Sequence, residues 1–181
     1  GRPVHAAIDA LRDALAGDPA AWPLPEEVER IELRGFRFLV FLNRTDIRNA
    51  FATRFSTPFA LASVLTHRSH GLECFTDAAA ADARIRALMG RIQMEEDAGF
   101  TAEFPGRQRC ELVLRLRDGR RLVGRCEVIR GEPANPADAR EYEAKFMALA
   151  GRIWPASQLS QLYQQARHPE SLTDLVGWGQ A

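Results

Sequence analysis

An α+β fold is what this sequence predicts: a mostly antiparallel sheet of about four strands, helices packed on one face as a two-layer sandwich, and further helices at the C-terminus. Three observations carry the prediction. The elements run helix, strand, two helices, then strands and more helices, an order that segregates helices from one sheet. One segment alternates with the clean period of a half-buried hairpin. And 46% hydrophobic residues over 181 positions suit one globular domain, expected here over 1–181.

The first helix runs from Pro3 to about Ala16, with Val4, Ile8, Leu11 and Leu15 at helical intervals and Asp9, Arg12 and Asp13 on the other side. Pro3 sits where a first-turn proline is tolerated, and Gly17 sits where a glycine stops a helix. A Pro-rich link (Pro19, Pro23, Pro25) leads to a strand expected over Val28 to Val40, with a bulge or bend at Gly35 where the alternation changes phase.

Ser56-Thr57-Pro58 starts a helix with a hydroxyl cap and an early proline, and Phe59 to about His67 forms its body, ending before Gly71. A second helix, about Ala78 to Gly90, turns Ile85, Leu88 and Met89 inward. Ile92 and Met94 alternate with polar neighbours in a short strand.

The hairpin follows. Cys110, Leu112, Leu114 and Leu116 alternate with Glu111, Arg115 and Arg117, Asp118-Gly119 turns, and Leu122, Cys126 and Val128 continue the inward face. Both apolar sets share a face only in an even-sum register, which a three-residue turn with Gly119 left-handed would supply. One such register sets Cys110 beside Cys126, read here as buried small hydrophobes and not as a bond. After the turn Gly131 to Pro136, a helix from about Ala137 to Ile153 should bury Tyr142, Phe146, Leu149 and Ile153. Ser157 should cap another helix carrying Leu159, Leu162 and Tyr163, and a final turn should bury Leu172, Leu175 and Val176.

Charge and cysteine usage bound the function. Twenty-four basic residues balance 24 acidic ones, so bulk electrostatics favours neither nucleic acid nor an anionic membrane. Lys145 is the sole lysine, so a Schiff base would have to use it. Three scattered cysteines make no disulfide framework and fit a reducing, cytoplasmic compartment. No apolar run approaches the ~20 residues that span a bilayer. The opening Gly1-Arg2-Pro3, without a methionine, is expected to be internal to a longer protein.

Of the histidines, His67 and His70 lie at a helix end with no third ligand, and His168 precedes Pro169 at another; all three read as solvated, and no metal site is expected. His5 differs: it sits in the first turn of an amphipathic helix beside Arg2. Either it is a surface residue, or it and Arg2 face a carboxylate at the positive end of the helix. The hairpin and its flanks carry Arg107, Arg109, Arg115, Arg117, Arg120, Arg121, Arg125 and Arg130. A nucleic-acid stripe is the sharp reading, but the stretch lacks stacking aromatics, and a solvated outer face is favoured.

Several ordered pieces resemble the C-terminal domain of the MmgE/PrpD family, which includes 2-methylcitrate dehydratase, cis-aconitate decarboxylase and iminodisuccinate epimerase. They are Arg2-Pro3-Val4-His5-Ala6-Ala7-Ile8-Asp9-Ala10, Val28 to Leu33, Phe55-Ser56-Thr57-Pro58-Phe59-Ala60-Leu61-Ala62, Leu116-Arg117-Asp118-Gly119-Arg120, Gly131-Glu132-Pro133-Ala134-Asn135-Pro136 and Lys145-Phe146. The resemblance implies a C-terminal domain whose helical N-terminal partner domain precedes Gly1, with the active site in the cleft between them and a homodimer when intact. It implies no metal or organic cofactor, and a small di- or tricarboxylic acid as substrate, such as 2-methylcitrate or cis-aconitate, undergoing proton transfer next to a carboxylate.

His5 falls on the family's active-site histidine, and Arg2 is the candidate carboxylate clamp. Phe59 stands where many members carry a tyrosine; it is the second candidate substrate-binding residue, and a phenyl ring cannot donate a proton. The competing readings are a non-catalytic α+β interaction module and RNA binding through the hairpin.

Overall fold

A computed structural model describes residues 1–16 and 22–168. The chain divides into two compact units, 1–135 and 136–181.

The first unit is built on a four-stranded sheet in the order β2-β1-β3-β4, comprising β1 (Val28–Gly35), β2 (Ile92–Glu96), β3 (Cys110–Leu116) and β4 (Arg121–Cys126). β2 lies parallel to β1; β1–β3 and β3–β4 are antiparallel. This is the predicted α+β class with a mostly antiparallel sheet. The hairpin adopts the even-sum register, with Leu112 opposite Gly124 and Cys110 opposite Cys126. Gly119 closes it at φ +88°, a left-handed conformation that strains other residues. Both cysteines are free.

Helix α1 (Arg2–Ala14) crosses the inner face of β3 and β4, burying Val4, Ile8, Leu11 and, just past its end, Leu15, the predicted stripe. The predicted stop at Gly17 lies outside the described residues. α4 (Thr57–His67) packs on α1 and on α6 (Ala83–Met89), closing the core around Phe36, Phe59, Leu61, Leu65, Ile31 and Leu112. The Ser56 hydroxyl accepts the Phe59 N–H at 3.1 Å, the capping expected of Ser-Thr-Pro, and the helix stops at Arg68, which adopts φ +53°.

Several boundaries depart from expectation. The first strand ends at Gly35 instead of Val40, because the backbone turns so tightly there that a Cβ would lie 2.7 Å from Leu39 Cδ2. Arg37–Phe41 then forms α2, so the apolar run splits by helical geometry: Leu39 is buried while Phe38 and Phe41 face out. The single helix expected from Ala78 to Gly90 is two, α5 (Asp77–Ala81) and α6, because the Asp82 carboxylate accepts the Arg84 N–H at 2.8 Å and caps the second. Ile85, Leu88 and Met89 are buried as predicted. Two short helices escaped the reading, α3 (Ala50–Thr53) and α7 (Ala98–Glu103), each capped by an Asn or Asp side chain.

The second unit contains α8 (Ala139–Ala150) and α9 (Ala156–Arg167). Asp138 and Glu141 form a capping box that starts α8. The expected buried stripe does not form: Tyr142, Leu149 and Ile153 are exposed. Within this unit α8 meets α9, where the Phe146 ring packs 5.3 Å from the buried Tyr163 and the Tyr163 hydroxyl donates to Ala139 O. Among the described residues of this unit, α9 is the helix that packs on α8. Pro155, not Ser157, occupies the cap of α9. Leu172, Leu175 and Val176 lie outside the described residues.

Candidate functional site

The start of α1 is placed by its own composition. Pro3 and Val4 are buried, and Ala6, Ala7 and Ala10 let the helix lie close to the sheet. Gly124 on β4 provides the room, since a Cβ there would fall 2.0 Å from Ala10 O and 2.3 Å from Ala14 N. Two carboxylates on α1 then fasten it: Asp13 accepts the Arg125 N–H and Asp9 accepts the Arg130 N–H, each at 2.8 Å. With its apolar face held down, the helix must turn Arg2 and His5 outward, and both are exposed. Asp9 follows His5 by one turn on the same stripe.

Arg2 is ion-paired with Glu132 across 130 residues of sequence. The pair depends on the turn at Gly131. Gly131 takes φ +90° and its N–H donates to Asn135 O at 2.8 Å. Asn135 Nδ2 donates to Val128 O at 2.8 Å, and Arg130 Nη1 donates to Asn135 Oδ1 at 2.9 Å. A turn braced from both sides holds Glu132 against the first turn of α1. Two segments at opposite ends of this unit, Arg2 to Ala10 and Gly131 to Asn135, are thus neighbours.

Phe59 is in another place. Its ring is fully buried in the core, not on the surface that carries Arg2 and His5, and so packs α4 against its neighbours. Glu132 is the site residue that reading by residue type missed. It lay inside a turn motif, and only the pairing with Arg2 gives it a role.

Behind the braced turn, the second half of α1 and the segment after β4 bound a cavity of about 1030 Å³. Asp9, Arg12, Asp13, Arg125 and Arg130 line it, so its wall carries both signs of charge.

His67, the cysteines and most of the hairpin arginines are engaged structurally, while Lys145 is exposed on α8. His67 Nδ1 lies 2.9 Å from Ser63 O. Burial, reinforced by the Asp9 carboxylate, pushes the Cys126 thiol up to about 12, and burial raises Cys110 as well. On the outer face of the sheet, Arg115 and Arg30 share Glu32, Arg125 pairs with Glu111, and Arg107 and Arg109 pair with Glu103 and Glu127. Among the described residues, no group of three or more His, Cys, Asp or Glu could hold a metal ion, and no helix is long and apolar enough to cross a membrane.

Residues 1–167 match the MmgE/PrpD C-terminal domain. No curated protein gives a significant match. The matched span contains both motifs that meet at Arg2 and Glu132, as well as the Ser56 cap and the hairpin. With nearly the whole chain covered, it belongs to the MmgE/PrpD family, a family generally of enzymes, as a C-terminal domain.

Proposed function

We propose that this domain forms one wall of the active site of a cofactor-independent lyase or isomerase acting on a small di- or tricarboxylic acid. His5 transfers the proton next to a substrate carboxylate, and the helical domain that precedes this one in the intact protein forms the opposite wall. The observation that carries the reading is the exposed His5 at the start of α1, one turn from Arg2, in a chain that belongs to this family.

An imidazole suits this task because its ordinary pKa lies near working pH, so it both takes and returns a proton. Proton abstraction leaves a carbanion-like centre that expels hydroxide or takes a proton back on the opposite face, and loss of CO2 generates the same kind of centre, which the imidazolium then protonates. Arg2 presents five N–H donors in a rigid fork. Glu132 occupies part of that fork and fixes its direction, and the remaining donors serve a substrate carboxylate. Asp9, engaged by the Arg130 amide, keeps α1 seated so that His5 holds its position. Phe59 contributes packing, and no protonation step runs through it.

The test is His5→Ala in the intact protein, assayed against a panel of small polycarboxylic acids. We expect kcat to fall at least about 100-fold, the scale of lost acid–base catalysis, with unchanged circular dichroism. An unchanged rate on a substrate the wild type turns over removes His5 from the mechanism.

A further inference from the structure

Glu132 already cancels the charge of Arg2. A guanidinium in an ion pair still donates through its unused N–H groups, but it presents no net positive charge to an anion. A polycarboxylate drawn to the start of α1 therefore needs a second cation there. Arg54 stands in that place.

Arg54 is fixed by its backbone. It follows the last residue of α3, and its N–H donates to Phe51 O at 3.3 Å. Its carbonyl accepts the Gly1 nitrogen, so the residue before Arg2 is tied to it directly. A Cβ built on Gly1 would lie 3.7 Å from both Leu42 Cδ1 and Phe55 Cδ1, so apolar side chains back this seam. Arg54 itself is exposed. Its charge reaches the start of α1: burial, and after it the Arg54 guanidinium, lowers the pKa of the Gly1 amine below its ordinary value.

The acids of the surrounding elements are committed elsewhere. Glu132 takes Arg2, Asp46 takes Arg48 and Glu96 takes Arg37. The Asp77 carboxylate accepts the Ala50 N–H at 2.6 Å, at the start of α3, whereas Arg54 lies at its exit. Glu73 accepts the Ser69 hydroxyl. Among the described residues, no carboxylate pairs with Arg54.

Two arginines thus flank Gly1. One is neutralised and directed by Glu132; the other keeps its full charge. Each can take one carboxylate through charge-assisted hydrogen bonds. His5 is exposed one turn further along α1.

We infer that Arg54 is a specificity-determining residue that grips a second substrate carboxylate, so that the site selects acids with at least two carboxylates over monocarboxylates. The inference rests on the proposed function, since it names a further group of the same site. Arg2 directs one carboxylate by its hydrogen bonds, and Arg54 attracts the other by its charge. An acid held at two points loses most of its orientational freedom, which narrows the carbons presented to His5. A monocarboxylate leaves one of the two arginines without an anion.

The experiment is isothermal titration calorimetry of the intact protein with succinate and with butyrate, the same carbon chain less one carboxylate. The wild type should bind succinate at least about tenfold more tightly than butyrate, the worth of one charge-assisted hydrogen bond. Arg54→Gln should bring the two acids to nearly equal affinity, with unchanged circular dichroism. Arg54→Lys, which retains the charge, should keep a preference for succinate. The ratio of the two affinities is the readout, because a merely structural role would weaken both acids together.

A wild type that does not bind succinate, or does not prefer it to butyrate, overturns the inference. So does an Arg54→Gln variant that keeps the preference; if its Tm also falls, the guanidinium serves a carboxylate of the protein itself. A preference indifferent to Arg54, in a protein whose turnover depends on His5, sinks the clamp and leaves the functional reading standing. A preference that Arg54→Gln abolishes, in a protein whose turnover ignores His5, upholds the clamp and sinks the acid–base role.

Discussion

Gly124 lies so close beneath Ala10 that the backbone of one leaves no room for a side chain on the other: an added Cβ would sit 2.0 Å from Ala10 O. The obstruction is helix backbone, which no rotamer change relieves. Because α1 carries His5 three residues beyond Arg2, the spacing of helix and strand here is also the spacing of the candidate site.

Gly124→Ala should therefore force α1 off the sheet. A cost of about 3 kcal/mol is expected, at the upper end of overpacking effects, which lowers Tm by about 10 °C in a domain of this size. Thermal unfolding followed by circular dichroism measures it. A stability within 0.5 kcal/mol of wild type, on the scale of an ordinary surface change, would show that α1 rides higher than described.

Burial places the thiols outside ordinary cysteine chemistry. Cys126 and Cys74 are pushed up to about 12 from an ordinary 9.0, chiefly by burial. A rise of that size lowers the thiolate fraction at neutral pH on the order of 1000-fold. Ellman's reagent should react with the native chain far more slowly than with the unfolded one. The linkage has a definite sign: the folded state holds these protons more tightly, so their stabilisation is complete below pH 9 and fades as pH rises towards 12. Urea midpoints measured across that window should fall. A flat profile would contradict the burial of these thiols.

Ion pairing decides the character of the arginine-rich hairpin. The register lines up Glu95, Arg34, Glu111 and Arg125 as alternating charges across four strands, and Glu32 serves both Arg30 and Arg115. Arg120 pairs with Asp118, and Arg117 Nε donates to Glu26 O. Guanidinium groups already neutralised release few counterions on contact with phosphate. Fluorescence anisotropy with a single-stranded RNA should show weak binding at 0.15 M salt and a log–log salt slope no steeper than about −1, the value for one or two phosphates. A slope near −5 would restore the hairpin as a nucleic-acid surface.

Where a local signal had no rival, the residues alone predicted the structure. Val4, Ile8, Leu11 and Leu15 announced α1, Ser56 with Pro58 announced α4, and the parity of the hairpin placed Cys110 opposite Cys126. Each follows from short-range rules: helical spacing, capping, and the two-residue period of a strand. Where two periods competed, the reading failed. Phe36, Phe38 and Val40 alternate like a strand, yet tight packing between Gly35 and Leu39 turns the chain and leaves Phe38 and Phe41 outside.

On α8 an apolar stripe at correct spacing stays largely exposed, because periodicity shows which face could be buried and not what arrives to bury it. The candidate site divides in the same way. That His5 and Arg2 share one helical turn is a property of adjacent residues and could be written down from the chain. That Glu132 reaches Arg2, and that Phe59 is sealed in the core away from both, depends on contacts between segments many residues apart, which only the packing of α1 against β4 and the bracing of the Gly131 turn bring about.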